Sequence, residues 1–199
     1  MGEAILSFDS TILLFFQEHI RAAWLNPIVE FITHLGDMGI LWIVLGVVML
    51  CFKKTRRQGL VMLLCLLGAW IVNDFVLKPL IARPRPFNVI PGLENLVGED
   101  SFSFPSGHTN ASFACALALT LIYGKKGAWS YVIAALIAVS RCYVGVHYPT
   151  DILGGMVVGT LMSLIVFKLL SHLLPQLVTG NEKEPVPETE ASSDDKSDT

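Results

Sequence analysis

The residues ILGGMVVGTLMSLIVF, at positions 152–167, form a run that contains no charged side chain. Four similar runs precede it, at positions 38–52, 58–73, 109–124 and 127–140. Each falls short of the roughly 20 apolar residues of a full membrane span, but each can be lengthened by including charged residues at one end. Five such runs would leave a water-soluble fold without a polar exterior. The pattern therefore predicts an all-α, polytopic membrane bundle with five strong spans.

The composition also favours a bilayer as the solvent. Hydrophobic residues make up 53% of the 199 positions and charged residues only 16%, whereas an average soluble domain has about 25% charged residues. The net charge of −3 comes from the last 19 residues, which hold seven acids and two bases. The remaining body is nearly neutral, which argues against a soluble enzyme, and it has no basic arm that would indicate a nucleic-acid partner.

The distribution of polar residues divides the chain into three parts. Residues 1–35 mix apolar and charged positions around Pro27. They are predicted to be amphipathic helices in the membrane interface or a weak first span, which would give six helices. Residues 36–175 form the predicted transmembrane domain. Residues 176–199 are rich in Glu, Asp, Ser and Pro, and we predict an acidic, disordered cytoplasmic tail. The oligomeric state stays open.

Positive charge predicts the orientation in a cell membrane. Two short basic loops, at positions 53–57 and 125–126, connect the first run to the second and the third run to the fourth. Short loops rich in Lys and Arg remain in the cytoplasm. The opposite ends of the runs should therefore face the extracytoplasmic side.

Charged residues gather at these predicted extracytoplasmic ends. They are Lys78, Arg83, Arg85, His108, Arg141, His147 and Asp151. Ionisable groups at the ends of spans are costly unless they have a function. Four cations in one layer predict a site for a multiply charged anion, and phosphate suits the planar, paired donors of Arg. The same cations would repel a metal ion, so we do not expect a metal site built from the two histidines and the aspartate.

A short motif, PSGH at positions 105–108, opens the third run. A helix that begins after Pro105 presents free backbone N–H groups, which form a ready anion site. Ser106 can add a hydroxyl donor, and Gly107 lets a phosphate approach the backbone. For this motif alone, an ordinary helix cap is the alternative.

His147 and Asp151 lie four residues apart around Pro149. Pro149 is a suitable first residue for the fifth helix, which would place Asp151 in its first turn, where the helix dipole favours a carboxylate. Asp151 can accept a hydrogen bond from one ring nitrogen of His147, which makes the other nitrogen a better nucleophile. For this pair alone, a structural ion pair is the alternative.

Together, three motifs resemble those of the type 2 phosphatidic acid phosphatase (PAP2) superfamily of membrane phosphatases. KPLIARPRP at positions 78–86 fits K-x6-R-P, and PSGH is the second motif. SRCYVGVHYPTD at positions 140–151 fits S-R-x5-H-x3-D. The family spacing selects Arg85 over Arg83, which we interpret as a cation behind the site or in contact with the headgroup.

The resemblance implies a metal-independent lipid phosphatase, without a cofactor, that works through a phosphohistidine. By position in the motifs, His147 is the nucleophile, Asp151 orients it and His108 is the general acid. The residues that would bind the phosphoryl oxygens are Lys78, Arg85, Ser106, Gly107 and Arg141.

The implied substrate is a lipid phosphate that reaches the site from the bilayer. Undecaprenyl diphosphate is favoured, because the compact chain with its short outer loop is similar to members that recycle this carrier for the cell wall. Phosphatidylglycerol phosphate and phosphatidate are alternatives. A non-catalytic anionic-lipid binder or transporter is the alternative of another class, although binding alone requires no paired acid and base.

Overall fold

The computed structural model describes residues 2–178, and all regular structure in this part of the chain is helical. The first half contains α1 (Gly2–Phe15) with a π-helical extension (Phe16–Ile20), α2 (Asn26–His34), a 3-10 turn (Asp37–Gly39), α3 (Ile40–Cys51), α4 (Arg56–Trp70) with a π-helical extension (Ile71–Leu77), α5 (Lys78–Ile81) and a second 3-10 turn (Pro86–Asn88). The second half contains α6 (Gly107–Tyr123), α7 (Lys125–Ala128), α8 (Ser130–Tyr143), α9 (Pro149–Leu173) and α10 (Pro175–Val178). Most of the predicted acidic tail lies outside the described residues.

Each of the five apolar runs is helical, but five strong spans are not confirmed. Among the described residues, Arg56–Asn88 and Pro149–Leu173 are long and apolar enough to cross a membrane. The α2–α3 pair adds a third span if its two parts, bent by 46°, are counted together. α6 and α8 have only 17 and 14 residues, below the roughly 20 of a full span. α8 is short because the chain leaves the helix after Tyr143 to form the loop that carries His147.

The surface of α9 is typical of a helix packed in a bilayer. Five large apolar side chains recur every four residues and are more than half exposed: Leu153, Val157, Leu161, Ile165 and Leu169. The buried face carries the small residues Gly155, Gly159 and Ser163. Small residues inside and large apolar residues outside allow close helix packing while lipid solvates the exterior. The chain is therefore a membrane protein.

Glycines bring α9 against the backbone of α6. A Cβ atom at position 155 would lie 2.6 Å from the carbonyl oxygen of Ser106, and one at position 159 would lie 2.3 Å from that of Asn110. The backbone N–H of Ser106 also donates to the carbonyl of Asp151 at 3.1 Å. The second and third motifs are thereby fixed to each other.

The N-terminal helices pack against the same end of the bundle. Asp9 and Leu13 of α1 are fully buried. Arg21, just after the π-helical extension of α1, donates to the carbonyl oxygens of Tyr143 at 2.7 Å and Glu94 at 2.9 Å. α2 is joined to α3 through a break where Met38 has a φ of 50° and Gly39 a φ of 71°. Residues 36–39 at this break line a cavity.

Candidate active site

One cavity of about 850 Å³ is lined by residues of all three motifs. These residues are Lys78, Arg85, Gly107, His108 and His147. Three carboxylates complete its polar wall: Asp37, Asp74 and Glu99. The lining also has an apolar part, which comes from α3 and α4, with Ile43, Leu63, Leu66, Leu67 and Trp70. Distant stretches of chain thus meet at one place.

His147 lies in the loop between α8 and α9 and is buried. Its Nε2 atom is 2.9 Å from Nη1 of Arg85. A guanidinium group only donates, so Nε2 is the acceptor and the proton of the neutral ring is on Nδ1. Burial lowers the pKa of His147, and the nearby charges of Arg85 and Arg141 lower it further. The ring is therefore neutral near pH 7, and the lone pair of Nε2 accepts the hydrogen bond from Arg85.

Asp151 is buried in the first turn of α9, behind His147. Its Oδ2 atom accepts a hydrogen bond from the backbone N–H of Tyr148 at 3.0 Å and faces Nδ1 of His147 at 3.4 Å. Its Oδ1 atom accepts from Nη1 of Arg83 at 2.6 Å. The carboxylate is held on both oxygens and supports the Nδ1–H tautomer of His147.

Arg83 joins this carboxylate to the N-terminal helix. Its Nη2 atom donates to Oδ2 of Asp9 at 2.7 Å. Asp9 also accepts from the backbone N–H and the hydroxyl of Thr150, at 3.1 Å and 2.6 Å. Arg83 was predicted to lie behind the site or to contact the headgroup. Its observed contacts with Asp151 and Asp9 place it behind the site. Sequence reasoning missed Asp9, since no spacing rule connects it to residues more than seventy positions away.

Glu99 lies between two of the predicted phosphate-binding cations. Its carboxylate accepts from Nη2 of Arg85 at 3.1 Å and from Nη2 of Arg141. Nη1 of Arg141 donates to the hydroxyl of Thr33 at 2.6 Å. Nε of Arg141 is buried and has no hydrogen-bond partner among the described residues. The two guanidinium groups thus already hold an anionic group, a carboxylate that sequence reasoning did not identify.

Lys78 and Gly107 meet at the N-terminus of α6. Nζ of Lys78 donates to Oδ1 of Asp74 at 2.7 Å. A Cβ atom at position 107 would lie 3.4 Å from the same Nζ, so the ammonium group lies close to the backbone that opens α6. A phosphate in the cavity would meet both a cation and the positive end of the helix dipole.

Ser106 caps α6 from a buried position. Its hydroxyl accepts from the backbone N–H of Thr109 at 3.4 Å and from the Thr109 hydroxyl at 3.0 Å. It is not among the residues that line the cavity. Its contact with a phosphate stays a prediction.

His108 lies in the first turn of α6 and lines the cavity. Its Nε2 atom is 2.8 Å from Oδ1 of Asp37. Oδ2 of Asp37 is 2.7 Å from Nδ1 of His34. Asp37 has no place in the three motifs, and the only sequence signal for it was its position between Gly36 and Gly39 at the start of an apolar run.

The cavity therefore combines the groups that phosphoryl transfer requires. Two imidazoles line it: the neutral ring of His147, whose Nε2 accepts from Arg85, and the ring of His108, which is paired with Asp37. Lys78, Arg85 and a helix N-terminus supply positive charge there, and Arg141 lies behind Glu99. This set can accept a phosphoryl group, protonate a leaving oxygen and neutralise the equatorial oxygens.

Comparison with known proteins agrees with this chemistry. Residues 58–174 match the PAP2 superfamily. Phosphatidylglycerophosphatase B of Bacillus subtilis is 38% identical over 162 residues, which cover 74% of this chain and 76% of that protein. Undecaprenyl-diphosphatase of Sulfolobus acidocaldarius is 31% identical over 150 residues, or 73% of this chain and 70% of that protein. A crystal structure of a transmembrane PAP2 type phosphatidylglycerolphosphate phosphatase from Bacillus subtilis matches with a TM-score of 0.70 and 34% identity, over 85% of this chain and 88% of that one.

Proposed function

The chain belongs to the PAP2 superfamily and is a lipid phosphatase, and from this premise we propose that it hydrolyses undecaprenyl diphosphate at the extracytoplasmic face through a phosphohistidine. The observation that carries the proposal is one cavity with two unlike sets of lining residues. One set holds the imidazoles and cations, and the other consists of apolar side chains of α3 and α4. A substrate with a phosphate head and a hydrocarbon tail matches both sets.

In the first step, Nε2 of His147 attacks the phosphorus atom. A P–N bond forms as the P–O bond to the leaving group breaks, and His108 donates a proton to the leaving oxygen. Asp151 stabilises the positive charge that develops on the His147 ring. Arg85 donates to the attacking nitrogen in the free enzyme, so the arriving phosphate has to take over that donor.

Fixed cations stabilise the transferring group. Lys78, Arg85 and the backbone N–H of Gly107 would contact its equatorial oxygens, where negative charge is spread in the transition state. Arg141, which is bound to Glu99 in the free enzyme, would join them only by exchanging that carboxylate for the phosphate. In the second step, His108 accepts a proton from water. The water oxygen bonds to phosphorus, the P–N bond breaks, and inorganic phosphate leaves His147 neutral again.

The extracytoplasmic orientation rests on the basic loops. The helices have the turn at positions 52–55 and the short helix α7, with Lys125 and Lys126, at one end of the bundle, and His108 and His147 at the other. Arg57, beside the first loop, donates to the carbonyl of Gln176 at 3.2 Å, so the end of α9 lies on that side too. Since short basic loops stay in the cytoplasm, the cavity opens outward.

Phosphatidylglycerol phosphate is the second candidate substrate. It is favoured by the 38% identity to phosphatidylglycerophosphatase B of Bacillus subtilis.

A substrate panel tests these candidates. Full-length protein in detergent with EDTA would be given undecaprenyl diphosphate, phosphatidylglycerol phosphate and phosphatidate, and released phosphate would be measured. We expect the highest kcat/KM with undecaprenyl diphosphate. A preference for phosphatidylglycerol phosphate would establish the second candidate, and no release from any lipid would overturn the proposed hydrolysis.

A trapping experiment tests the intermediate. With a lipid labelled on the transferable phosphate, wild-type protein quenched in alkali should retain label, and the label should be lost in acid. His147→Ala should lose the label and reduce turnover on the order of 10⁴-fold or more. His172→Ala removes an exposed histidine far along α9 and serves as the control. Label retained by His147→Ala would rule out His147 as the nucleophile.

A further inference from the structure

Each imidazole of the site faces a carboxylate, Nδ1 of His147 facing Asp151 and Nε2 of His108 facing Asp37. The distance from Oδ1 of Asp37 to Nε2 of His108 is 2.8 Å. A carboxylate only accepts hydrogen bonds, so Nε2 of His108 carries a proton in this contact. The Nδ1 atom has no hydrogen-bond partner among residues 2–178, which makes it the ring nitrogen that is free to exchange a proton with a substrate.

This contact determines what the His108 ring can do. With Nε2–H committed to Asp37, a proton on Nδ1 exists only in the imidazolium form, and the negative carboxylate stabilises that form. When Nδ1 gives up its proton, the neutral ring keeps Nε2–H on Asp37 and presents a lone pair at Nδ1. One nitrogen can thus serve as acid for the leaving group and then as base for water.

The backbone around Asp37 is held in an unusual conformation. Met38 has a φ of 50° although it is not glycine, and its side chain is 86% exposed. A non-glycine residue rarely adopts this left-handed conformation because it is strained, and the exposed side chain recovers little of that strain by packing. At Gly36, a Cβ atom would lie 2.6 Å from Cδ2 of His108. The break between α2 and α3 therefore lies directly against the His108 ring, with Asp37 beside it.

We infer that Asp37 is a positioning residue that acts through His108, holding its ring in the Nε2–H tautomer and supporting the protonated form that releases the leaving group. The inference rests on the proposed role of His108 as the general acid. His34, which contacts the other oxygen of Asp37 at 2.7 Å, helps to fix the carboxylate.

The dependence of the rate on the leaving group tests this role. Loss of general-acid catalysis slows a substrate with a poor leaving group far more than one whose leaving group needs no proton. We expect Asp37→Asn to lower kcat on a short-chain phosphatidate, an alkyl ester, on the order of 10²-fold. Its kcat on p-nitrophenyl phosphate should fall only a few-fold. An equal loss on both substrates would indicate a merely structural role and overturn the inference, as would no loss on either.

Two further variants separate the inference from the proposed function. Glu18→Gln removes an exposed carboxylate for which no hydrogen bond is found among the described residues, and it should match wild type on both substrates. His108→Ala should show the same selective loss on the alkyl ester. If His108→Ala lacks that selectivity, the general-acid assignment itself fails. If His108→Ala shows it and Asp37→Asn does not, only the role of Asp37 fails.

A double-mutant cycle measures whether Asp37 acts through His108. In the His108→Ala background, Asp37→Asn should have almost no additional effect on kcat. Independent, multiplicative losses would overturn the inference. If Asp37→Asn does not fold, ¹⁵N-histidine NMR of wild-type protein gives the answer instead, with the His108 signals assigned by their loss in His108→Ala. The neutral His108 ring should be the Nε2–H tautomer, and an Nδ1–H tautomer would overturn the inference.

Discussion

Arg83 donates a hydrogen bond from Nη1 to Oδ1 of Asp151 at 2.6 Å, while its Nη2 holds the buried Asp9 at 2.7 Å. Arg83 lies two residues before the motif residue Arg85, but unlike Arg85 it does not line the cavity. It fixes the carboxylate that orients His147. α1 therefore takes part in the site although none of its residues belongs to a motif.

Arg83→Gln should lower kcat by about ten- to a hundredfold with little change in KM, because a hydrogen bond to a charged group contributes about 1.5–3 kcal/mol. Steady-state kinetics on the best lipid of the panel would measure this. Lys126→Gln removes an exposed cation from the other end of the bundle and is the control. A rise in KM with unchanged kcat would instead indicate that Arg83 contacts the substrate.

In a plot of kcat/KM against pH, the loss of activity on the acid side, the acid limb, should occur below pH 6.5. Burial, followed by the charges of Arg85 and Arg141, lowers the pKa of His147 below its ordinary value of 6.5, so the nucleophile stays neutral as the pH falls. Arg141→Gln removes one of these charges and should move the limb of kcat/KM to higher pH. A wild-type limb above pH 6.5 would contradict this assignment.

The free energy of unfolding should also depend on pH through His147. The folded pKa of His147 is the lower one, so below about pH 6.5 the unfolded chain binds a proton that the folded chain does not. The contribution of neutral His147 to the free energy of unfolding is thus present above that pH and declines as the pH falls. Thermal unfolding in detergent should show a smaller decline in His147→Ala than in wild type, and equal declines would argue against a lowered pKa.

Glu99→Gln should tighten binding of phosphate mimics. The Glu99 carboxylate accepts from both Arg85 and Arg141, so an arriving anion competes with it for these donors. Removing its charge should lower the inhibition constant for orthovanadate about tenfold, or about 1.4 kcal/mol. Asp100→Asn changes the neighbouring exposed carboxylate and should leave the constant unchanged. Weaker vanadate binding in Glu99→Gln would mean that Glu99 holds the arginines in place for the substrate.

Gly159→Ala should destabilise the protein. The added Cβ would lie 2.3 Å from the backbone carbonyl of Asn110, and a helix backbone yields less than a flexible side chain. Overpacking of this kind costs typically 1–3 kcal/mol, which thermal unfolding in detergent would detect. Val157→Ala, on the lipid-facing side of the same helix, is the matched control. An unchanged melting temperature for Gly159→Ala would show that α6 and α9 can separate freely.

The helical content and the membrane location could be predicted from the sequence, because apolar runs and charge distribution are local properties of the chain. The number of complete spans could not. α8 stops at Tyr143 so that the following loop can bury His147, and no count of apolar residues contains that requirement. The bend between α2 and α3 could not be predicted from the sequence either, because it depends on left-handed backbone conformations at Met38 and Gly39.

The three motifs by themselves indicated the family and five of the residues that line the cavity, Lys78, Arg85, Gly107, His108 and His147, since phosphate recognition restricts residue types at fixed spacings. Only the tertiary structure decided what surrounds them. Asp9, Asp37 and Glu99 reach the site from other segments, through contacts such as that of Asp37 with His108 across 71 positions. A carboxylate is effective wherever folding brings it within hydrogen-bond distance, so its partner leaves no periodic signal along the chain.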